Sequence, residues 1–472
     1  YVLTDYRIGS LSGGSVVVAM MGRLLNTQLR RLSGAELSVG AVKSAPTADH
    51  RCIGIQQGLY MFDGCAPGQA FMLPHGTRIF NRLIEMMRDL YQTHGYDELV
   101  TPLIFQKRLW KTSGHDEHYE SEMFGIRRRR QEEQSGSDDD ETRSSWSLKP
   151  MNCPAHCTVF GAQSWSYRQL PIRYAEFSPL HRDEASGALS GLTRDITWFL
   201  RLSIVYNVFV GLRRFHQDDA HIFCRENQVQ SEIKSCLSMI DQVYSRFGFS
   251  YELALSTRPT GYLGDLSKWT YAEASLRHAL DGSDKNFIIN VGDGAFYGPK
   301  IDCRITDSLG RAHQCGTIQL DFNLPERFNL KYTDENGTHQ APVLVHRAIL
   351  GSIERMMSML AEHYLGAWPL WLSPRQVCVL PVSAPFSAYA ETVVNNLRRN
   401  KIFADIDSAD IPLGKRLRNL QNLQYNYIVV VGANEQDQGT VSVKARGAQG
   451  NLTTTSIQQF TSEVLQAIAN KS

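Results

Sequence analysis

Two arginines that bracket a glycine-rich segment are candidates for holding a phosphate. A predicted strand over residues 172–182 ends at Arg182, and Gly187 and Gly191 then precede Arg194. Guanidinium groups bind phosphate oxygens through paired hydrogen bonds, and glycines let the backbone approach a ligand closely. The pattern indicates a hairpin that grips a phosphate-bearing substrate, although these residue types alone are a weak signal.

A second cationic position lies much later in the chain. Gly351 and Ser352 precede a helical pattern, and Arg355 follows about one turn inside it. The first N–H groups of a helix lack partners and carry positive partial charge, which favours an anion. We therefore expect a second phosphate contact at Arg355.

Cysteines and histidines that could bind a metal are scattered along the chain. Cys153, His156 and Cys157 are close together, whereas His221 and His346 lie far downstream. A single buried cysteine usually behaves as a small apolar residue, and Cys157 offers a different metal pair, so the residues alone leave the assignment open. The chain has 9 cysteines without paired spacing, which favours a reducing compartment over a disulfide framework.

The periodicity of apolar residues predicts the elements that position these groups. Residues 77–95 have the pattern of an amphipathic helix, with Thr77 as the N-cap and Gly95 as the C-terminal stop. An extended segment over residues 96–100 should follow. The apolar face of the helix consists of Ile79, Phe80, Leu83, Ile84, Met87, Leu90 and Tyr91.

The last hundred residues have a different pattern. Residues 377–382 and 427–431 are apolar runs of strand length, while residues 389–397 and 457–468 have helical periodicity. Alternating strands and helices predict a small α/β domain with a mostly parallel sheet. The segment 368–373, which contains a proline, should be the hinge before this domain.

Composition excludes several classes of protein. The 472 residues include 49 Lys and Arg against 48 Asp and Glu, with 42% hydrophobic and 21% charged residues, so a disordered or collagen-like chain is excluded. The longest apolar stretches are interrupted by charges, so we expect no membrane partner. The net charge of +1 does not argue against nucleic acid, because phosphate contacts need only a local basic surface.

In order, the helix with Thr101 and Pro102, the hairpin over 182–194 and the helix start over 351–355 resemble motifs 1, 2 and 3 of class II aminoacyl-tRNA synthetases. Six further strings are similar to those of threonyl-tRNA synthetases specifically, and the resemblance extends from about Asp49 to the C-terminus. The strings are SGHDEHY (113–119), LKPMNCPAHC (148–157), FHQDDAHIFC (215–224), GAFYGPKID (294–302), QCGTIQLDF (314–322) and VHRAILGSIER (345–355).

The resemblance implies a fold and an activity. It implies an α+β catalytic domain over residues 49–370, with an antiparallel sheet and flanking helices, that forms a homodimer through the motif 1 region. A C-terminal α/β anticodon-binding domain over residues 371–472 follows. The implied enzyme is a threonine–tRNA ligase, which activates L-threonine with ATP and transfers it to the 3′ end of tRNA(Thr).

A zinc site is also implied by the resemblance. Cys153, His221 and His346 occupy the positions of the family's three metal ligands. Three protein ligands leave one position of a tetrahedral zinc open, and in the family the amino group and hydroxyl of threonine take it. Valine lacks the hydroxyl and should be rejected by about 10⁴ to 10⁵, whereas serine loses only a methyl group worth roughly 1–3 kcal/mol and should leak through.

The remaining roles are carried over from the same motifs. Arg182 should hold the α-phosphate of ATP and Arg355 the γ-phosphate, with Mg²⁺ bridging phosphates. Glu184 should contact the adenine side. Arg194 and Gln314 should complete the ATP site.

The threonine pocket should include Asp219, which accepts from the substrate hydroxyl. Lys300 is expected to act at the reacting groups, and His115 is a candidate for assisting the ribose hydroxyl in the transfer step. The other expected threonine-binding residues are Met151, Gln217, Tyr297 and Gln319.

In the C-terminal domain, Glu435 and Arg446 are the expected anticodon contacts. The segment 407–420 matches the family only loosely, so the anticodon that is read stays open. Unpaired anticodon bases are recognised by edge contacts and stacking.

Two segments depart from the family pattern. Between Arg194 and Arg213, where the family has a single residue, this chain has the 18 residues DITWFLRLSIVYNVFVGL over 195–212. An insertion that does not loop out would shift the strand register and reverse its side chains. We interpret it as a translated intron in preference to a lineage-specific loop. Residues 127–147, with four arginines followed by acids and serines, should form a disordered surface loop.

The insertion supports an alternative function, a catalytically impaired tRNA-binding paralogue. A further alternative is a zinc-dependent hydrolase that uses Cys153 and the histidines, which would need a general base beside metal-bound water and no ATP.

The first 48 residues are basic and nearly free of acids after Met20 and Met21. This composition is typical of an organellar transit peptide, so we expect translation from one of these methionines and import into the mitochondrial matrix, with residues 1–19 an artefact of the gene model. A disordered tail is the alternative. Fewer than 30 residues lie between Met20 and Asp49, which is too few for an independent domain. We therefore expect the chain to lack the family's N-terminal editing domain.

Overall fold

The computed structural model describes residues 49–126, 146–183, 189–190, 193–194, 212–283, 285–306, 312–448 and 452–471. The expectations for residues 1–48, and most of those for the segments 127–147 and 195–212, lie outside the described residues. Trp146 and Ser147 are exceptions, because they belong to a strand and not to a disordered loop. Leu212 is another, because its side chain is buried in the main core. The disordered loop predicted over 127–147 therefore does not include Trp146 and Ser147, whereas the burial of Leu212 does not test the prediction of an insertion.

The N-terminal elements include the long helix that the periodicity predicted. Its C-terminal end at Gly95 is confirmed, but Thr77 is not its N-cap. In chain order the elements are α1 (His50–Gln57), β1 (Tyr60–Met61), β2 (Phe71–Met72), α2 (Pro74–His94), β3 (Asp97–Glu98), β4 (Ile104–Gln106), α3 (Lys107–Ser113), α4 (His115–Tyr119), β5 (Gly125–Ile126), β6 (Trp146–Leu148), α5 (Cys153–Gly161), β7 (Trp165–Ser166), β8 (Ile172–Glu176), β9 (Pro179–His181), β10 (Leu189–Ser190) and β11 (Thr193–Arg194).

Longer strands follow and form the centre of the molecule. The elements are β12 (Arg214–His216), β13 (Asp219–Cys224), α6 (Val229–Phe247), β14 (Tyr251–Ser256), α7 (Leu266–Asp281), β15 (Phe287–Asn290), β16 (Lys300–Thr306), β17 (Ala312–Asp321), α8 (Asn323–Arg327), β18 (Tyr332–Thr333), β19 (His339–Gln340), β20 (Val343–Ala348) and α9 (Ile353–His363).

Within the described residues an eight-stranded sheet has the order β15-β14-β16-β17-β20-β13-β8-β3. All its neighbouring strands are antiparallel except β14 with β15 and β3 with β8. The expected antiparallel sheet of the catalytic domain is thus confirmed. The predicted strand over 172–182 is divided into β8 and β9, and only Asp97–Glu98 of the extended segment is a strand.

The two faces of this sheet differ in chemistry. Residues directly opposite each other on paired strands point to the same face. One face carries apolar residues such as Ala220, Ile222 and Ile318, which are fully buried against helices α2, α6 and α9. The other face carries polar residues in register, and this is where the candidate site lies.

The C-terminal part of the chain has its own apolar cores. Its sheet has the order β22-β21-β23-β24-β25, in which β21 is parallel to β22 and β23 but β24 is antiparallel to both neighbours, so the prediction of a mostly parallel sheet was wrong. Its elements are β21 (Val377–Pro381), α10 (Ser387–Arg399), β22 (Ala404–Ile406), α11 (Leu413–Asn422), β23 (Tyr427–Val431), α12 (Ala433–Gln438), β24 (Thr440–Ala445), β25 (Thr453–Ser456) and α13 (Ile457–Ala469).

The segment expected to be a hinge is packed and buried. Trp368 is 1% exposed, and its indole N–H donates to Oε1 of Gln57 at 2.8 Å. The amide of Gln57 donates to the carbonyl of Gly366 at 2.7 Å, and Arg375 donates to the Gln57 carbonyl at 2.7 Å. Gln57 of helix α1 thus forms hydrogen bonds with Gly366 and Trp368 at the start of the connection between the two sheets and with Arg375 at its end.

No helix in the described part of the chain combines the length and the apolar composition needed to cross a membrane.

Candidate functional site

Three metal-binding side chains converge on the polar face of the large sheet. His221 of β13 lies directly opposite His346 of β20, and Cys153 is the first residue of α5. All three are buried, and one donor atom from each lies within 4.8 Å of the others. Cys157, which could have offered a different metal pair, is not a member of this donor group, although it packs in the same apolar cluster as Cys153.

This donor set fits zinc. A thiolate and two imidazoles are preferred zinc ligands, and bond lengths of about 2.0–2.3 Å require donors separated by roughly 3.3–3.8 Å, which small side-chain rotations can reach. Each histidine also has one ring nitrogen engaged elsewhere: Nε2 of His346 lies 3.0 Å from Oδ2 of Asp321, and Nδ1 of His221 lies 2.9 Å from Nδ1 of His156. One nitrogen per ring is left for a metal, the usual arrangement around a ligand histidine.

The electrostatics of the group also favour a cation. Burial, together with the nearby Asp219 carboxylate, raises the pKa of the Cys153 thiol well above its ordinary value. Burial lowers the pKa of His221 well below its ordinary value, so its ring is neutral and able to bind a metal. A thiolate at this position therefore needs a positive partner, and a metal ion supplies one.

A buried carboxylate, Glu176, is connected to this group through His156. It accepts from the backbone N–H of Thr101 at 2.8 Å, from Nζ of Lys149 at 2.9 Å and from Nε2 of His156 at 3.0 Å. Burial alone would raise the pKa of Glu176, but the bonds from His156 and Ser178 and the charge of Lys149 outweigh it and hold the pKa at about 2.

Register places the expected threonine-binding residues beside the metal group. Lys300 lies opposite Gln319, which lies opposite His346, so these residues form one row across β16, β17 and β20. The Tyr297 hydroxyl donates to Gln319, and its ring centroid lies 5.3 Å from that of His346.

The other members of the predicted pocket lie on neighbouring elements. Asp219, at the start of β13, accepts from Nδ2 of Asn152 at 3.2 Å, and burial raises its pKa. Met151 packs in the same apolar cluster as Cys153. Gln217 is half-buried and forms an isolated bridge with Ser352, at the start of α9.

The candidate ATP residues form a second group. Arg355 follows the N-cap Ser352 as expected, and its Nη1 donates to the Gln314 carbonyl at 2.7 Å. Arg182 is half-buried, donates to the Pro150 carbonyl at 3.3 Å and lies over the Phe215 ring at 5.0 Å from its centroid. Glu184 and the side chain of Arg194 lie outside the described residues.

The arms of the arginine hairpin pair without a register shift. His181, Leu180 and Pro179 of β9 lie opposite residues 214–216 of β12, and the Arg182 N–H donates to the Arg213 carbonyl at 3.0 Å. Arg194 belongs to β11, which pairs with β10 and not with β9. The insertion therefore leaves the ladder between β9 and β12 intact. The register shift that would reverse the side chains does not occur in these strands.

Two further expected residues have unexpected surroundings. His115 is fully buried; its Nδ1 lies 2.8 Å from the Ser113 hydroxyl and its Nε2 lies 3.9 Å from Sγ of Cys153. The structure thus places it beside the Cys153 thiol of the candidate metal group. Lys300 is ion-paired with the buried carboxylate of Asp302 at 3.0 Å. Both roles in catalysis stay predictions.

The expected anticodon residues have structural contacts. Glu435 accepts from the Gly432 N–H at 2.9 Å and from the Ser442 hydroxyl at 2.7 Å, so it caps the start of α12. Arg446 donates to the carbonyls of Gln424, Ala367 and Trp368, and burial lowers its pKa. An arginine that donates to three carbonyls has fewer donors left for RNA, and both anticodon contacts stay predictions.

Sequence reasoning missed the residues that support the site. Glu176, Asp321 and Asp302 are carboxylates with 0% exposure within or at the ends of strands. Asp302 accepts from Ser256, Thr317 and Gln314 as well as from Lys300, so it joins two candidate substrate contacts. An acid inside a strand is the signal that could have found them, because a buried charge needs partners.

Comparison with known proteins gives the family. The model for the tRNA synthetase class II core domain (G, H, P, S and T) matches residues 134–198 and 209–364, and the model for the anticodon binding domain matches residues 376–467. The gap between the first two ranges falls within the 195–212 insertion. These matches confirm the expected class II core and C-terminal anticodon domain.

Relatives agree on one enzyme. The chain is 45% identical to the probable mitochondrial threonine–tRNA ligase of Schizosaccharomyces pombe, covering 89% of each, and 48% identical to the cytoplasmic threonine–tRNA ligase 1 of Homo sapiens, covering 86% of this chain and 52% of that relative. The chain spans between half and three fifths of several such relatives.

A solved structure agrees as well. The crystal structure described as the RNA binding domain of threonyl-tRNA synthetase from Cryptosporidium parvum Iowa II has a TM-score of 0.80 and 42% identity, covering 89% of this chain and 98% of that one. Motifs, fold and relatives coincide, and the chain belongs to the threonine–tRNA ligase family of class II aminoacyl-tRNA synthetases.

Proposed function

We propose that the protein is a threonine–tRNA ligase that activates L-threonine with ATP and transfers it to the 3′ end of tRNA(Thr). The observation that carries this proposal is the buried group of Cys153, His221 and His346 on the polar face of the central sheet. Within the family named above, a three-donor group beside a row of polar residues is suited to selecting an amino acid that carries a hydroxyl.

Zinc is the proposed resident metal, held by these three residues. When bound, it supplies an open coordination position for the amino group and hydroxyl of threonine. Asp219 is placed to accept the hydroxyl proton, and Tyr297 and Gln319 limit the pocket beside His346. Valine would leave these polar groups unpaired, which is the strongest basis for rejecting an analogue of the same shape.

ATP is the proposed second substrate, bound with Mg²⁺. Arg355 lies at the start of α9, where helix N–H groups add positive potential, and Arg182 lies at the end of β9. Two guanidinium groups at these positions would neutralise charge that develops when the threonine carboxylate attacks the α-phosphorus and pyrophosphate leaves.

The proposed partners are tRNA(Thr) and a second copy of the chain. The C-terminal domain, with Glu435 and Arg446 among its polar residues, would contact the anticodon loop. The apolar residues Val100, Leu103 and Ile104 beyond β3 are exposed and would be covered in a homodimer formed through the motif 1 region. The mitochondrial matrix is the proposed location, although relatives include cytoplasmic as well as mitochondrial enzymes.

The test is amino-acid-dependent exchange of pyrophosphate into ATP. We expect exchange with threonine, weak exchange with serine and none above background with valine. The kcat/KM for valine should be at least about 10⁴-fold lower than that for threonine. Equal use of valine would refute selection through the hydroxyl. Absence of exchange with threonine, in protein that binds ATP and is folded, would favour the impaired paralogue instead.

A further inference from the structure

His156 has no role in the function proposed above, yet it lies between a buried carboxylate and a metal-binding histidine. It is 0% exposed, with Nε2 at 3.0 Å from Oε2 of Glu176 and Nδ1 at 2.9 Å from Nδ1 of His221. Its ring is nearly perpendicular to that of His221, at 85°. Both ring nitrogens of His156 are therefore engaged in hydrogen bonds.

The direction of each hydrogen bond follows from the groups around Glu176. Thr101 donates its backbone N–H to Glu176, and Lys149 donates to both Glu176 and the Thr101 hydroxyl. The Thr101 hydroxyl must then donate its own proton to the carboxylate, at 2.9–3.0 Å. Glu176 is surrounded by donors and can only accept. The proton between Glu176 and His156 therefore lies on Nε2 of His156.

The second hydrogen bond is fixed by the first. A neutral imidazole that carries its proton on Nε2 has a lone pair on Nδ1. Two imidazole nitrogens at 2.9 Å share one proton, so with His156 in its neutral form Nδ1 of His221 is the donor. Nε2 of His221 is then the unprotonated nitrogen, which is the form that binds a metal ion.

We propose that Glu176 and His156 are positioning residues that hold His221 in the tautomer with Nε2 free for the metal. This inference rests on the zinc site of the proposed function. His346 contacts the carboxylate of Asp321 directly, whereas His221 is connected to the carboxylate of Glu176 through His156. Both metal-binding histidines are thereby tied to a fully buried carboxylate.

The relay also connects the metal group to the strand that precedes motif 2 and to the residue next to Pro102. Glu176 is the last residue of β8 and lies opposite Asp219, while Thr101 follows β3. The hydrogen bonds of the relay do not involve Arg182 or Arg355, so a change at His156 should alter how the metal is held without altering these two residues.

Two substitutions at one position test the proposal. The amide of asparagine reaches the place of Nδ1 of histidine, so His156→Asn keeps an acceptor for His221 and loses the bond to Glu176. The amide of glutamine reaches the place of Nε2, so His156→Gln keeps the bond to Glu176 and leaves Nδ1 of His221 without its acceptor. We expect zinc affinity to fall about 10- to 100-fold in His156→Gln and less in His156→Asn.

The measurement is the zinc dissociation constant of the full chain, obtained by competition with a chromogenic chelator. The visible absorption of the Co²⁺-substituted protein gives a second reading, since a distorted site loses the intensity of tetrahedral coordination. Thermal unfolding with and without zinc separates a loss of folding from a loss of metal binding. In His156→Gln the Tm of the metal-free protein should stay near that of the wild type, and only the rise in Tm on adding zinc should shrink.

Cys157→Ala is the matched control, because Cys157 is buried on the same helix and lies outside the donor group. It should bind zinc as the wild type does. Wild-type zinc affinity in His156→Gln, or equal losses in both His156 variants, would overturn the relay. Wild-type zinc content in Cys153→Ser would instead overturn the metal site itself, so the two failures are distinguishable.

Discussion

The metal group and the arginine hairpin hold their side chains by different means. His221 and His346 belong to six-residue strands at the centre of the large sheet, where register and buried carboxylates define each ring. Arg182 instead follows a three-residue strand and is half-buried, and its side chain donates to the Pro150 carbonyl on a neighbouring segment. The comparison indicates that the candidate metal group is held rigidly by its strands, while the candidate phosphate contact depends on a hairpin whose β9 and β12 arms pair despite the inserted sequence.

The largest expected effect comes from removing a donor of the rigid group. Cys153→Ser should lose stoichiometric zinc and lower threonine-dependent pyrophosphate exchange by roughly 10³-fold or more, since a hydroxyl is a poor replacement for a thiolate. Metal analysis and exchange assays on the same preparation measure both. The buried Cys157→Ser variant should keep zinc and activity. Full activity without zinc would show that the donor group does not select threonine.

A smaller effect is expected from the carboxylate behind that group. Glu176→Gln should lower the free energy of unfolding of the metal-free protein at pH 7 by about 3 kcal/mol, because the folded pKa of about 2 lies below the ordinary 4.5. A lowered folded pKa contributes stability above the unfolded pKa, and that stability is lost as pH falls from about 4.5 towards 2.

Urea unfolding of both proteins between pH 7 and pH 3 checks this prediction. The difference between wild type and Glu176→Gln should shrink to less than half at pH 3. A difference that does not change with pH would mean that Glu176 is not held in its ionised form, and the comparison between a rigid and a tolerant site would lose one of its supports.

The smallest effect is expected in the hairpin. Deleting residues 195–211, which leaves the buried Leu212 as the single residue between Arg194 and Arg213, should change Tm by no more than about 2 °C, because the β9 and β12 arms already pair in register and loop length alters closure entropy only slowly. The KM for ATP in the exchange assay should stay within a few-fold of wild type. A large rise in that KM would show that the inserted residues help to hold the nucleotide.

Local signals in the sequence predicted several elements. Gly95 ends α2 with φ +68°, the left-handed conformation that glycine adopts readily, and Ser352 caps α9 through its hydroxyl. The start of α2 was wrong by three residues, because Pro74 occupies the first turn, where a missing N–H costs nothing. The metal-ligand prediction came from the family resemblance, since no local pattern links Cys153 to His346.

What could not be predicted depends on contacts between distant strands. The row from Lys300 through Gln319 to His346 exists only because three strands pair in one register, which no short window of sequence specifies. The relay through His156 likewise requires β8 and β13 to be neighbours. The mixed C-terminal sheet was missed because strand direction depends on how β24 and β25 return along the sheet.

The buried connection between the sheets has a consequence for any RNA that touches both. Arg446 of the C-terminal sheet binds the carbonyls of Ala367 and Trp368, and Gln57 of α1 binds the same connection from the other side. The spacing between the candidate threonine pocket and the C-terminal sheet is therefore set by contacts within the protein. A tRNA that engages both ends must match this fixed reach with its own elbow, so overall length would discriminate among tRNAs independently of their bases.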